Sequence, residues 1–309
     1  MPETEFRVIC GIARSGTTIS REIARRAVPG VLLEEPLHRS RGVAGVPVAY
    51  PYVSAKGGEY AELIDEITRF ARPWGKHPAS ASWGKVKRAI FRVAGDEWWL
   101  RWRLLRLRAG LGFAPRRVLW KDPFASLATP YLLARHGARV VCMVRHPAAV
   151  YVSMCKWGWG FNIAYLRDQP ELMEAQGCDI LPRDWERARA STAASVAILW
   201  KVMVALNAPL ADADSRLMLV RHEDLCDDPM TVSRALVKQL GGEMTASAQR
   251  FMNRSFHGAS AEGNSLRPHD FVRDIRALGD SWRRKVSPED ESAMRDIIGD
   301  DFHRIYAHW

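Results

Sequence analysis

The residues best suited to chemistry lie close to the start of the chain, between Gly11 and Thr18. The apolar run Phe6–Cys10 predicts a buried strand, and the apolar residues from Ile19 to Ala27 recur at helical spacing. A turn from a strand into a helix aims backbone N–H groups and the positive helix end at one point. We therefore predict an anion site in this turn.

The spacing of the residues in this turn indicates which kind of anion it could bind. Gly11, Gly16 and Thr18 fit the Walker A pattern G-x-x-x-x-G-K-[ST], but Thr17 stands at the lysine position. That lysine contacts the β and γ phosphates of a nucleoside triphosphate, and the hydroxyl residue holds Mg²⁺. Arg14 supplies a cation three residues earlier. The pattern predicts a phosphate group outside a polyphosphate–metal complex, and hence no metal.

A family resemblance follows from these residues. The segment Arg14, Ser15, Gly16, Thr17 and Thr18 resembles the 5′-phosphosulfate loop of sulfotransferases that use 3′-phosphoadenosine 5′-phosphosulfate (PAPS). The resemblance implies that these five residues bind PAPS and that the chain is a nucleotide-binding transferase.

A second phosphate site is predicted further along the chain. The apolar run Ala138–Val144 predicts a strand covered on both faces, and it ends at Arg145, eight residues before Ser153. Arg145 and Ser153 resemble the family's pair of 3′-phosphate ligands, although Arg-His-Pro could also mark only a helix start. PAPS needs two separate phosphate sites, whereas an ordinary nucleoside triphosphate does not.

A candidate base follows the short apolar strand Val31–Leu33. The segment Glu34-Glu35-Pro36 resembles the Glu-Pro pair of carbohydrate sulfotransferases, which implies that Glu35 is the general base. His38 is a second candidate, and the choice between them stays open. Without the resemblance, both glutamates would be interpreted as solvated charges at a strand end.

Another cation follows the predicted strand Arg117–Trp120. Lys121 resembles the family's lysine that contacts the phosphosulfate and the transferring sulfuryl group. Pro123 stands where cytosolic sulfotransferases have a catalytic histidine, which favours Glu35 as the base. Family members also close the nucleotide with a late basic segment, for which Arg267, Arg283 and Arg284 are candidates.

The elements that carry these residues predict the fold class. Short apolar strands alternate with helical patterns, as in a P-loop-like, three-layer α/β/α fold with a mostly parallel sheet of about five strands. We expect residues 1–309 to form one domain with acceptor-side insertions around 39–115 and 156–188. The segment 156–188 is interpreted as a loop or lid, and Ala190–Leu206 as a core helix.

The net charge of +10 and the pI near 9.6 favour an anionic partner. Residues 85–117 hold ten lysines and arginines against Asp96 and Glu97. Arginines and tryptophans on a helix here could dock an acidic acceptor, lie on an anionic membrane surface, or only cover apolar surface in solvent. Nucleic acid ranks lower because no recognisable nucleic-acid module surrounds the segment.

Cysteine usage and hydropathy indicate the compartment. The five cysteines are odd in number and form no C-x-x-C pair, which favours reduced thiols in a cytoplasmic protein. We expect no cleaved signal sequence, because cleavage would remove the anion loop. We also expect no apolar run of about 20 residues that could cross a bilayer.

The resemblance implies a metal-independent transfer of a sulfuryl group from PAPS to an acceptor hydroxyl on a glycan or glycolipid. A lipid or secondary-metabolite alcohol is the alternative acceptor. Alternatives of another class are a non-catalytic protein that binds anionic polymers and a small-molecule kinase. Oligomeric state is not indicated by the sequence.

Overall fold

The computed structural model describes residues 4–75, 97–175, 180–257 and 282–309. Its sheet contains five parallel strands in the order β2-β3-β1-β4-β5. In chain order the strands are β1 (Glu5–Gly11), β2 (Val31–Glu34), β3 (Arg117–Lys121), β4 (Arg139–Val144) and β5 (Leu217–Arg221). The predicted parallel sheet of about five strands is confirmed.

Helices connect and flank the strands. In chain order the described helices are α1 (Thr17–Ala24), α2 (Ala61–Thr68), α3 (Glu97–Gly110), α4 (Thr129–His136), α5 (Pro147–Cys155), α6 (Ala164–Arg167), α7 (Pro170–Ala175), α8 (Pro182–Ala190), α9 (Thr192–Ala213), α10 (His222–Asp227), α11 (Pro229–Gln239), α12 (Ala246–His257) and α13 (Pro288–Ile298). Short 3₁₀ helices cover Pro123–Leu127 and Gly299–Arg304.

Hydrophobic side chains cover both faces of the sheet. Successive residues of a strand point to opposite faces, so Val8 and Cys10 lie in one core and Ile9 lies in the other. Helices α1, α11 and α12 contribute to the core around Ile9, and α4, α5, α9 and α13 contribute to the opposite core. This arrangement confirms the three-layer α/β/α fold.

Helix α9 is longer than predicted and runs through Pro209 to Ala213. By length and composition it could cross a membrane, so the expectation that no apolar run approaches this length is wrong. The helix lies in the core, however, and 72% of its most apolar stretch is buried. Packing on the sheet therefore explains its apolar character.

The segment 156–188 differs from the predicted loop because its described part contains α6, α7 and α8. Helices α7 and α8 begin at Pro170 and Pro182, and the fixed φ of proline suits the first helical position. Each helix is too short for an apolar repeat of 3.6 residues to show in the sequence.

The strand register brings the candidate site residues to one edge of the sheet. Lys121 pairs with Ile9 of β1 and with Glu34 of β2, while Gly11 pairs with Met143 of β4. The turns that follow these strands therefore meet around the end of β1, where the strand order reverses. Such a reversal is the usual position of a ligand crevice in an open parallel sheet.

Candidate active site

Two glycines shape the turn after β1. Gly11 has φ of +142°, and a Cβ atom there would lie 2.3 Å from the Met143 carbonyl oxygen. Gly16 has φ of +98°, and its Cβ would lie 2.5 Å from His222 Cδ2. Both positions combine a left-handed backbone with a lack of space. The turn is therefore held closely against β4 and the start of α10.

The N-terminus of α1 has donors that suit an anion. Gly16 is its N-cap, no side chain caps it, and its first turn has no acidic residue. The first N–H groups of a helix have no carbonyl partner within that helix. The hydroxyl of Ser15 is buried and has no hydrogen-bond partner. Thr17 and Thr18 line the cavity beside the turn, so the predicted anion-binding residues are brought together.

An ion pair joins the ends of β2 and β3. Lys121 Nζ donates to Glu35 Oε1, with the Lys121 side chain 3% exposed and that of Glu35 22% exposed. Burial raises the pKa of Glu35, but the positive charge of Lys121 and its hydrogen bond, with Arg41 and His38, bring the pKa below its ordinary value. Glu35 is therefore ionised and able to accept a hydrogen bond.

His38 lies close to Glu35 but is engaged by its own loop. The backbone N–H of Ser40 lies 3.2 Å from His38 Nδ1, and Arg41 Nε lies 3.2 Å from His38 Nε2, so each ring nitrogen has a donor of its own loop within hydrogen-bond distance. A neutral imidazole has only one nitrogen that accepts a hydrogen bond. The N–H groups of the loop therefore compete with any external proton donor for His38.

Asp122 is a positioning residue that the sequence reasoning missed. Its buried carboxylate accepts hydrogen bonds from the backbone N–H groups of Leu37 at 2.8 Å and Phe124 at 3.0 Å. Burial and the nearby Glu35 raise the pKa of Asp122 to about 7, although the N–H donors and Lys121 oppose this rise. The carboxylate ties the loop that carries Glu35 to the end of β3. An aspartate directly before Pro123, as an N-cap, was the available signal.

One cavity of about 770 Å³ contains most of these groups. Arg14, Thr17 and Thr18 line it from the turn after β1, and Glu35 and Lys121 line it from the ends of β2 and β3. Its wall also includes His38, Arg41, Tyr50, Trp74, Phe124, Trp159, Phe161, Asn162 and Tyr165. All four predicted catalytic residues, which are Glu35, Arg14, Lys121 and His38, therefore face the same space.

Backbone strain is concentrated at this cavity. Among the described residues, the non-glycine positions with positive φ are Arg14, Glu35, Tyr50 and Phe70. The first three line the cavity. Such strain persists only where the surrounding structure holds it, and it clusters at functional sites.

The predicted 3′-phosphate ligands lie next to the first anion site. Arg14 Nε donates to Ser153 Oγ at 3.0 Å, and an Arg145 Nη atom donates to the Arg14 carbonyl oxygen at 3.2 Å. Arg145 Nε is buried without a partner, and burial lowers the pKa of this guanidinium. Buried donors of this kind fit an anionic ligand, because the unliganded protein leaves part of their hydrogen-bonding capacity unused.

His146, which follows Arg145, is a packing residue. Its ring stacks on Trp282 with centroids 4.1 Å apart, and burial lowers its pKa to about 3, so it is neutral. Arg283 lies over the other ring of this stack, Trp282, with its guanidinium carbon 4.7 Å from the ring centroid. This places Arg283 near the Arg145 end of the site. Arg267 lies outside the described residues.

The segment after β5 contacts both the end of β4 and the turn after β1. Glu223 accepts a hydrogen bond from the His146 backbone N–H at 3.0 Å and another from the Tyr306 hydroxyl at 2.8 Å. His222 packs against Gly16. The segment therefore fixes the turn after β1 and the end of β4 relative to each other.

Two aromatic residues at the first anion site were also missed. The Tyr50 hydroxyl accepts the Ala13 backbone N–H at 3.0 Å, and burial raises the pKa of this phenol. Trp159 places its ring 5.3 Å from the guanidinium carbon of Arg14. Both residues lie in the predicted acceptor-side insertions, around 39–115 and 156–188, in which the sequence did not single them out.

The fold is P-loop-like, and the residues predicted to bind two phosphates lie together at one edge of its sheet. The sequence profile of the Sulfotransferase family matches residues 8–246, which is well over half of the chain. The chain therefore belongs to the sulfotransferase family and is a sulfotransferase. The matched segment contains all the site residues described above except the C-terminal Arg283.

Solved structures of sulfotransferases show low similarity to this chain. A retinol dehydratase in complex with retinol and PAP is 15% identical, with a TM-score of 0.47 over 99% of this chain and 84% of that one. A sulfotransferase domain from the Synechococcus olefin synthase is 14% identical, with a TM-score of 0.43 and coverage of 96% and 94%. A mouse sulfotransferase complexed with PAP is 14% identical, with a TM-score of 0.42 and coverage of 96% and 84%. No curated protein sequence matches the chain.

Proposed function

We propose that the chain transfers the sulfuryl group of PAPS to an acceptor hydroxyl, with Glu35 as the general base. The observation that carries this proposal is the shared cavity, in which the anion-binding turn faces the Glu35–Lys121 ion pair. A donor bound by the turn would therefore present its 5′ end to the carboxylate. The Sulfotransferase family match supports the reaction class.

Two groups of residues would hold the donor. The N–H groups at the start of α1, the Ser15 hydroxyl and Arg14 would bind the 5′-phosphosulfate. Arg145 and Ser153 would bind the 3′-phosphate, since Arg145 offers a fork of donors and lies within one hydrogen bond of Arg14. Arg283 is the described candidate for the closing basic segment.

The chemistry is an in-line transfer. Glu35 takes the proton of the acceptor hydroxyl while the acceptor oxygen forms a bond to sulfur. The bond between sulfur and the bridging phosphate oxygen breaks, and negative charge develops on that oxygen. Arg14, Lys121 and the backbone N–H groups at the start of α1 stabilise this charge. When Glu35 takes the proton it loses its negative charge, and its ion pair with Lys121 weakens. Lys121 can then interact with the negative charge that develops on the phosphate oxygen.

The acceptor is proposed to be a glycan or glycolipid. Support comes from the cavity wall, in which aromatic rings lie beside polar groups able to bind sugar hydroxyls. The rings are Tyr50, Trp74, Phe124, Trp159, Phe161 and Tyr165. Aromatic faces bind the apolar faces of sugar rings, and Arg41 and Asn162 provide hydrogen bonds in the same wall.

Acceptor screening with sulfur-labelled PAPS tests the proposal. Soluble oligosaccharides, glycolipids and simple long-chain alcohols form three arms, and labelled product is expected with a sugar-containing acceptor. Arg14→Ala is expected to reduce kcat by about 10²- to 10³-fold. Label transfer only to the simple alcohols would contradict the glycan assignment. A non-catalytic binding protein would be favoured by a different result. The chain would then bind anionic polymers in a salt-sensitive way, with the same affinity in Arg14→Ala and Arg145→Ala, and would transfer no sulfuryl group.

A further inference from the structure

Helix α3 has two apolar faces, and within the part of the chain that the structure describes only one of them packs against the core. Trp102 is 2% exposed, and Leu105 and Ala109 pack beside it against the core. The side chains of a second set are 51 to 65% exposed, and they are Leu100, Leu104, Leu107 and Leu111. Their spacing of four, three and four residues places them in one stripe. At about 100° per residue, this leucine stripe lies opposite the buried face.

Arginines border the leucine stripe on both sides. Arg101 and Arg108 fall on one side and Arg103 and Arg106 on the other, and all four are exposed. Phe113 extends the apolar surface beyond the helix and is 67% exposed. No aspartate or glutamate occurs in residues 98–117. The surface is therefore apolar along its centre and bordered by arginines.

This combination identifies the class of partner. An exposed apolar patch of this kind marks an interaction site. A second copy of the chain would bring two sets of arginines together, with no acidic partner from residues 98–117. A bilayer with anionic headgroups matches both features, since the leucines can enter the acyl boundary while the arginines remain among the phosphates.

The position of α3 relative to the cavity also suits a membrane. A groove of about 280 Å³ runs between α3 and β2 and is lined by Leu33, Trp74 and Trp102 and, from the exposed face of α3, by Leu104 and Arg108, among others. Trp74 lines both this groove and the acceptor side of the cavity. The exposed helix face therefore adjoins the part of the site that would receive the acceptor.

We propose that the leucine stripe of α3 docks the protein on an anionic membrane surface. The evidence for this docking is the exposed leucines and their flanking arginines, and it does not depend on the proposed function. If the protein docks in this way, the acceptor is a lipid-linked hydroxyl taken from the membrane. This consequence rests on the proposed function. Vesicle binding and sulfuryl transfer can therefore fail independently of each other.

The test is flotation of the full chain with vesicles of phosphatidylcholine alone and of phosphatidylcholine mixed with phosphatidylglycerol. Binding to the anionic vesicles that weakens with added NaCl is expected. Arg106→Gln/Arg108→Gln should weaken this binding by about 30-fold, and Leu104→Ser/Leu107→Ser should weaken it by at least about tenfold.

Matched controls lie on α8 and directly before it. Leu181 is exposed to a similar degree, and Arg183 and Arg189 are exposed arginines. Leu181→Ser and Arg183→Gln/Arg189→Gln should bind vesicles as the wild type does. Every variant should bind 3′-phosphoadenosine 5′-phosphate (PAP) normally, which shows that it is folded.

Three results would overturn the proposal. The first is absence of binding to the anionic vesicles. The second is equal loss in the α3 variants and their controls. The third is a dimer in light scattering that Leu104→Ser/Leu107→Ser dissociates, because the stripe would then be a protein interface.

Discussion

Replacing Arg145 with methionine separates ligand binding from stability. The guanidinium is desolvated in the fold, its Nε has no hydrogen-bond partner, and burial lowers its pKa. Its charge therefore costs free energy in the unliganded protein. Methionine has a similar length and no charge, so Arg145→Met should leave the Tm unchanged or raise it slightly. Such a result is expected of a residue that binds a ligand, because functional sites are commonly kept at a cost in stability.

The loss should appear in donor affinity. Hydrogen bonds that involve a charged group contribute about 1.5 to 3 kcal/mol. If the Arg145 fork binds the 3′-phosphate, Arg145→Met should weaken PAP binding by about 10- to 150-fold. Adenosine 3′-phosphate should lose affinity by a similar factor. Adenosine 5′-phosphate lacks the group that Arg145 contacts, and its affinity should hardly change.

Titration calorimetry with these three nucleotides, together with thermal unfolding, measures both effects. Arg216→Met is the control, because Arg216 pairs with Asp214 at the opposite end of the sheet. That variant should lower the Tm and leave PAP affinity unchanged. Equal losses of PAP and adenosine 5′-phosphate affinity in Arg145→Met would refute the 3′-phosphate assignment. So would a large fall in Tm with unchanged PAP affinity, since Arg145 would then be structural.

Three further predictions concern the cavity. Glu35→Gln should lower kcat on the identified acceptor by about 10²- to 10⁴-fold while PAP affinity is kept; near-normal turnover would exclude Glu35 as the base. Gly16→Ala should abolish PAP binding and lower the Tm more than Gly158→Ala, because Gly158 also has positive φ but no atom within 4 Å of its added Cβ; equal effects would contradict the close fit. Glu35 must be ionised to act as a base, so kcat/KM should fall with decreasing pH only below 4.5, the ordinary pKa of a glutamate. In Lys121→Met the charge that lowers the pKa of Glu35 is gone while burial still raises it, so this fall should occur at higher pH. An unchanged pH profile of kcat/KM would contradict this coupling.

The strands and the positions of the candidate anion-binding residues were predictable because their signals are local. Apolar runs identified β1, β2, β3 and β4 to within one residue at each end, and the spacing from Gly11 to Thr18 identified the turn after β1. Parallel strands with polar ends placed Glu35 and Lys121 at the same edge. The resemblance of these motifs then indicated the family, which the profile match confirms.

The missed features depend on contacts between distant segments. Asp122 acts through Leu37, a separation of 85 residues, and His146 stacks on Trp282 near the end of the chain. The competition for His38 depends on how its loop folds back. The exposed leucines of α3 could not be told from core leucines, because both helix faces are apolar and only the packing shows which one is covered.

The central claim is that the turn around Arg14 and Thr17 binds a phosphosulfate donor and not a nucleoside triphosphate. Calorimetry of the wild-type chain with PAP and with ATP, each in the presence and absence of Mg²⁺, tests it most directly. PAP should bind tightly and independently of Mg²⁺, with ATP much weaker under both conditions. Mg²⁺-dependent binding of ATP at higher affinity than PAP would contradict the account and favour a kinase.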